Sequence, residues 1–414
     1  MQAFHNSFSQ FKSDSCSGKP SYWLRKKRKI AIVLPLAYGG GNLKGACLLA
    51  ETLLNGSRQC NEEAEIIITC LKEQKLYGQD LIEELPEEIK IRQYQWDFID
   101  ASAAEKAMYY AGHTQWQPTE SLYSIFDDKM NFLSDCDLWL IISDRVQAPI
   151  LPLRPYVMMI YNYIERYIPG INADKQVLIS NAQKAKAVLT TTNQTYQDAM
   201  QYGGISKEKL HKLPILLPHF KMKPEALVVD RNYFLWPTNE GAHKNNFNGF
   251  QALKYYYEEL EGSLECHITG INSAQLAEQA SISSLIEQSD SLKSNIHFFS
   301  NLNEKKYQAK LVNASFLWHP TKIDNGAFSV IEAALYNVPS LSSSYPAMQE
   351  IDNDLKLHLT WMDANNPNDM GRQLKWMEAN REELKNNVES ANAISNSHSG
   401  NFAVKYWKVI RECL

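Results

Sequence analysis

Asp324 and Glu332 are carboxylates eight positions apart in the run I-D-N-G-A-F-S-V-I-E-A-A-L-Y-N-V-P-S-L. Small residues lie between them, and a helical pattern begins at the second. This spacing can put one carboxylate on a loop and the other in the first turn of a helix, both facing one pocket. Carboxylates so placed accept hydrogen bonds from hydroxyls, the chemistry that a sugar joined to a ribose requires. The stretch also reads as a helix cap. Ser329-Val330-Ile331-Glu332 is an S-x-x-E capping box, with Val330, Ile331, Ala334 and Leu335 as core and Asn337 as a left-handed stop before Pro339. On these residues alone both readings stand.

Two further groups bear on the choice. Trp236-Pro237-Thr238-Asn239-Glu240-Gly241-Ala242-His243-Lys244-Asn245 follows an apolar strand pattern. Lys244 is a compact charge with three donors, suited to phosphate, and His243 can add another donor. A single lysine in a loop is ordinarily a solvated charge; its place directly after a strand raises the functional reading. Tyr38-Gly39-Gly40-Gly41-Asn42 likewise links a strand to a helix. Glycines there let backbone approach a ligand, and a helix N-terminus favours anions. The pattern is not G-x-G-x-x-G, so it is no dinucleotide fingerprint, and Asn42 also serves as an ordinary cap residue.

The elements that must position these residues alternate. Strand-length apolar runs occur at Ile30–Leu34, Ala64–Cys70, Leu138–Ile142, Tyr156–Tyr161 and Ala187–Thr191, with helical patterns such as Leu43–Leu54 and Ala103–Tyr110 between them. Pro214, Pro218 and Pro224 punctuate a linker. Alternation restarts with strands at Tyr233–Trp236, Glu265–Thr269, Ile296–Phe299, Ser315–Trp318 and Pro339–Ser342, followed by a polar helical tail. The pattern predicts an α/β protein of two parallel-sheet, Rossmann-like domains facing a cleft, with ligands beyond the carboxyl ends of the strands. The expected division is a lead-in over 1–28, a first Rossmann-like domain over 29–215 and a linker over 216–230. A second Rossmann-like domain over 231–395 follows, then a C-terminal helix over 396–414 that can cross back to the first domain.

A chain of 414 residues exceeds one ordinary core, and its net charge of −5 argues against a nucleic-acid partner. No apolar run approaches the ~20 residues of a membrane span, and the N-terminus lacks a signal-peptide core. Seven scattered cysteines without C-x-x-C fit a reducing, cytoplasmic setting. The run Arg25-Lys26-Lys27-Arg28-Lys29 reads as a solvated strand entrance or as a peripheral contact with anionic lipid at the inner membrane face. Asp135-Cys136-Asp137 is a D-x-D, but it precedes a strand where a metal-bearing D-x-D should follow one. His113 and His319 are lone histidines without ligand spacing.

The second half resembles the GT-B retaining glycosyltransferases of family 4, also called glycosyltransferase group 1. D-N-G-A-F-S-V-I-E-A-A-L-Y-N-V-P-S-L is similar in register to the family's E-G-F-G-L-P-x-x-E-A-x-x-x-G-x-P-V. Pro237 to Asn245 resembles the P-x5-H-K-N loop of a bacterial subset, many of them mannosyl- or rhamnosyltransferases. Tyr161-Asn162-Tyr163-Ile164…Pro169 and Thr192-Asn193-Gln194-Thr195…Asp198 resemble looser family segments.

The resemblance implies a metal-independent transferase that takes a GDP-, UDP- or dTDP-sugar, needs no cofactor, and serves a saccharide or lipid-linked acceptor in surface polysaccharide synthesis. Glu332 would accept from the ribose, and Asp324 would contact the donor sugar. Backbone at Gly326, Ala327 and Phe328, with Ser329 beside them, would hold sugar and phosphate. Lys244 and His243 would neutralise the leaving diphosphate, approached from the other domain by Gly40 and Gly41. Transfer would retain configuration by same-face attack, which depends on positioning and charge stabilisation. Four positions depart from the pattern. Asp324 is one methylene short, Asn239 replaces an Arg, Asn162 replaces an Asp, and Tyr161 replaces a His on the acceptor side. Asp324, Asn239 and Asn162 motivate an alternative, a weakened GT-B protein that binds nucleotide-sugar as a partner or scaffold. A sugar-nucleotide epimerase is a second.

Overall fold

A computed structural model of the chain describes residues 27–72, 78–143, 145–146, 148–168, 175–218, 232–277, 279–324, 328–388, 394 and 402–414. The first sheet contains β1 (Arg28–Val33), β2 (Ala64–Leu71), β3 (Lys90–Asp100), β4 (Leu122–Asp127), β5 (Leu138–Ile142), β6 (Tyr156–Met159), β7 (Ala187–Thr190) and β8 (Leu210–Lys212). They lie in the order β4-β3-β2-β1-β5-β6-β7-β8. Every pairing is parallel except β3 with β4. The second sheet contains β9 (Tyr233–Pro237), β10 (Glu265–Thr269), β11 (Ile296–Phe298), β12 (Leu317–His319), β13 (Ser340–Ser343) and β14 (Thr360–Met362). Its order is β11-β10-β9-β12-β13-β14, all parallel.

Burial on both faces explains why the central strands read as apolar runs. On β1, Ile30 and Ile32 enter one core while Ala31 and Val33 enter the other. On β9, Phe234 and Trp236 face one core and Tyr233 and Leu235 face the other. The antiparallel pair β3–β4 was not expected. Lys90–Asp100 alternates polar and apolar residues and stays largely exposed near the sheet edge, so it carries no apolar run to read.

The helix Phe402–Cys413 packs on the first helix, Gly41–Gln59. Tyr406 Oη donates to Pro214 O at 2.7 Å and Trp407 Nε1 to Glu62 Oε2 at 3.1 Å. Gly56 makes this approach possible, because a Cβ there would lie 2.1 Å from Ala403 O and 2.8 Å from Trp407 Cβ. We expect Gly56→Ala to destabilise the protein by roughly 1–3 kcal/mol through overpacking, read as a lowered midpoint in urea unfolding. An unchanged midpoint would mean that the terminal helix does not hold this position in solution.

Candidate functional site

In both sheets the strand order reverses next to the strand that begins the domain, between β1 and β5 and between β9 and β12. Loops leaving the carboxyl ends at such switch points line a crevice. Three of the segments singled out by sequence leave β1, β9 and β12.

The chain leaving β9 turns through Ala242–Lys244 and is fixed by Asn245, which adopts a left-handed φ of 62° that asparagine tolerates. Asn245 Nδ2 donates to Pro320 O at 3.1 Å and Ala364 O at 2.7 Å, and Lys322 N donates to His243 O at 2.8 Å. These bonds lock the β9 loop to the loop after β12. They bring Lys244 Nζ to Asp324 Oδ2 at 2.7 Å, with both side chains mostly buried. Burial disfavours the Asp324 carboxylate, yet Lys244, with His243 beside it, holds it well below the usual carboxylate range. Burial and then Lys244 push His243 down to about 4, so its ring is neutral at pH 7. Burial likewise lowers His319, which sits 3.3 Å from Ser342 Oγ at the end of β12, to about 3.

Glu332 makes the second charged contact. The helix Phe328–Leu335 buries almost every side chain, Glu332 included. Ser329 lies inside this helix, and the Glu332 carboxylate does not fold back as a capping-box partner. Glu332 Oε1 accepts from Lys44 Nζ of the first domain, which also donates to Glu304 Oε1 at 2.8 Å. Burial, eased by Lys44 and aggravated by Glu304, pushes Glu332 up to about 7. Burial also works against the Lys44 ammonium, but Glu332 and Glu304 outweigh it and its pKa is raised. Tyr307 and Tyr336 also face this cluster.

Gly40 precedes the first helix with φ 60° and ψ −133°, a conformation suited to glycine, and its O accepts from Lys44 N at 3.0 Å. Gly41 is exposed at the helix start. A Cβ on Gly45 would lie 2.6 Å from Tyr161 Oη and 3.5 Å from Phe328 Cε2, so Tyr161 of the same domain and Phe328 from across the cleft both converge on the first helix. Tyr161 and Asn162 directly follow β6 and are half-buried. Thr192 caps the helix Asn193–Gln201, and Thr195 Oγ1 donates to Tyr161 O at 2.8 Å. Asn239 is exposed and its Oδ1 accepts from Gly241 N at 2.9 Å, which makes it a turn residue apart from the ion pair. Gly326 and Ala327 lie outside the described residues, as do Arg25 and Lys26.

Elsewhere, Lys29 is held by Asp135 at 3.1 Å, and its backbone N by Asp137 Oδ2 at 2.9 Å. Arg92 also grips Asp135, at 2.7 and 3.1 Å. The D-x-D is thus an ion-pair lock at the amino end of β5, opposite the cleft. It also engages the last residue of the basic run. His113 Nε2 lies 3.3 Å from Leu153 O, a packing contact. Among the described residues no helix is long and apolar enough to cross a membrane.

Lys44 and Glu304 escaped the sequence reading. Their signal was a lysine among Leu43, Ala46 and Cys47 on a buried helix face, and a glutamate directly after the cap residue Asn303. Beside the ion pair, a cavity of about 530 Å³ opens between the domains. Arg166, Tyr167, Gln194 and Gln197 line it from one side and Lys322 and Tyr345 from the other.

No protein-family model matches the chain, and no curated protein matches it. Solved structures do. Anabaena Alr3699/HepE in complex with UDP and glucose is 13% identical, with 93% of this chain and 98% of that one covered and a TM-score of 0.63. The sucrose-phosphate synthase of Thermosynechococcus elongatus is 12% identical over 93% and 99%, with a TM-score of 0.63. A glycosyltransferase from Rickettsia africae is 15% identical over 93% and 99%, with a TM-score of 0.57. At these identities the likeness shows the fold: two Rossmann-like sheets facing a cleft, the GT-B architecture.

Two outcomes test the site's electrostatics. Lys44→Met leaves two buried carboxylates without their cation and should cost roughly 3–5 kcal/mol; adding Glu304→Gln should recover part of it in urea unfolding. The pKa of Glu332 is raised on folding, so its stabilising contribution is full below its ordinary value and fades as pH rises through about 7. Glu332→Gln should therefore flatten the fall in stability between roughly pH 4.5 and 7.5. An unchanged slope would mean that Glu332 is not buried in this way.

Proposed function

We propose that the protein is a glycosyltransferase that moves a sugar from a nucleotide-diphosphate donor to a saccharide or lipid-linked acceptor. The observation that carries this reading is a pair of ionic contacts in a cleft of GT-B architecture, Lys244 with Asp324 in the loops leaving β9 and β12, and Glu332 on the helix that follows with Lys44 of the facing domain. Lys244 is placed for a diphosphate whose charge grows as the sugar bond breaks, and charge stabilisation there is worth several kcal/mol of barrier. Neutral His243 donates a hydrogen bond to the same group. Asp324, released from Lys244 as the diphosphate takes over its cation, accepts from donor-sugar hydroxyls. Glu332 accepts from the ribose.

Asn239 cannot supply the second cation that many family members carry. Arg145 follows β5 on the facing domain and acts electrostatically on His243. It fills that role in our reading. With Asn162 in place of an acid, that position supplies no base. This is compatible with a retaining, same-face reaction in which a leaving phosphate oxygen receives the acceptor proton. Acceptor hydroxyls enter through the cavity beside Tyr167 and Gln194, whose aromatic and amide lining suits a sugar. GDP-, UDP- and dTDP-sugars are all candidates, and surface polysaccharide assembly is the setting that the sequence resemblance suggests.

One observation favours a second reading, that of a nucleotide-sugar-binding scaffold. Lys244 and Glu332 both already have charged partners within the protein. A ligand must displace these partners, which weakens binding and can leave turnover negligible.

The experiment is a panel of UDP-, GDP- and dTDP-sugars with and without lipid-linked acceptors, scored by release of free nucleoside diphosphate. Acceptor-dependent release should fall by about 10²–10³ in Lys244→Ala, with the melting curve nearly unchanged. Glu332→Gln should chiefly raise the donor KM. Tight donor binding without turnover on any acceptor would replace the transferase reading with the scaffold.

A further inference from the structure

A cluster of nitrogen and oxygen ligands lies away from the cleft, in the amino-terminal halves of β10 and β11. Glu265 and His267 are two apart on β10 and therefore share a face of the sheet. His297 on β11 is the parallel-strand partner of His267. Glu265 Oε2 lies 2.9 Å from His267 Nε2 and 3.4 Å from His297 Nε2, and the ligand atoms of all three are within 4.8 Å of one another.

Tetrahedral zinc with ligands at about 2.0–2.1 Å spaces them about 3.3 Å apart, close to what Glu265 already makes with each histidine. His267 stacks on Tyr233 at a centroid distance of 3.8 Å, and Lys310 Nζ lies 3.3 Å from its Nδ1, so Nε2 is the nitrogen turned to the cluster. An ion on Nε2 puts the ring proton on Nδ1, and Lys310 turns away from it when the ion binds. His297 Nε2 is covered and faces the Glu265 carboxylate at 3.4 Å without forming a hydrogen bond, so an ion between them would satisfy both. Glu265 and His297 side chains are themselves 47% and 42% exposed, which gives an ion a way in.

We propose that Glu265, His267 and His297 form a binding site for one divalent transition-metal ion of the zinc class, tying the edge strand β11 to β10. Two imidazoles and one carboxylate suit zinc, cobalt, nickel or copper rather than magnesium or calcium. The ion would close the exposed flank of the second sheet, where β11 has only one strand neighbour. Its place in the fold separates it from the donor cleft, so it stands or falls apart from the transferase reading.

The test uses the full-length chain, stripped with a chelator and desalted. Zn²⁺ is titrated by calorimetry and Co²⁺ by visible absorption. We expect one ion per chain, the intense bands of a tetrahedral cobalt site, a raised melting temperature with Zn²⁺, and no such response to Mg²⁺. His297→Ala and Glu265→Gln should each weaken binding by about tenfold or more, while circular dichroism reports the metal-free fold of each. If His297→Ala does not fold, Glu265→Gln decides. No saturable Zn²⁺ binding, or binding undiminished in the folded variants, overturns the proposal.

Discussion

The Lys44 ammonium, inserted between Glu332 and Glu304 of the opposite domain, is the contact on which the shape of the cleft depends. A lysine on the buried face of a helix loses its hydration, and carboxylates from the facing domain compensate for that loss. Neither domain could bury its own share of this cluster alone. Other bonds cross the cleft as well. Glu304 N donates to Asp80 Oδ2 at 2.6 Å, Asn193 N to Glu350 Oε2 at 2.7 Å, and Ala347 N to Gln194 Oε1 at 3.1 Å. Glu350 also pairs with Lys212 of the first domain, but that lysine is partly exposed, whereas the Lys44 cluster is buried charge, the costliest kind of group to leave unmatched.

The cluster holds one cation and two carboxylates, and that imbalance, added to burial, is why Glu332 sits near neutrality. A ligand that offers hydroxyl donors to Glu332 relieves the imbalance instead of merely filling space. The Lys244–Asp324 pair is complementary, with its charges matched and its carboxylate strongly acidic. The cleft therefore holds one matched and one mismatched ionic contact.

Much of this was legible in the sequence wherever one residue's environment followed from its neighbours in the chain. Runs such as Leu138–Ile142, buried on both faces, could only be central strands. Lys244 and Asp324 follow β9 and β12, and parallel topology sends both loops to the same end of the sheet. Lys44 was not legible in this way, because its partners lie 260 and 288 residues away on another domain. The β3–β4 pair was missed because the alternation of β3 is diluted by polar residues and most of that strand is exposed. The Glu265, His267 and His297 group depends on the register between β10 and β11, which no single segment encodes.

The terminal helix has a mechanical consequence. The chain passes from the first domain to the second between β8 and β9, and returns between the helix Pro367–Asn387, which packs on the second domain, and the helix Phe402–Cys413. Two bodies joined by one stretch of chain can swivel past one another, whereas a second crossing narrows the ways in which they can separate. The second crossing therefore also limits how far Lys44 could be drawn from the two carboxylates that hold it.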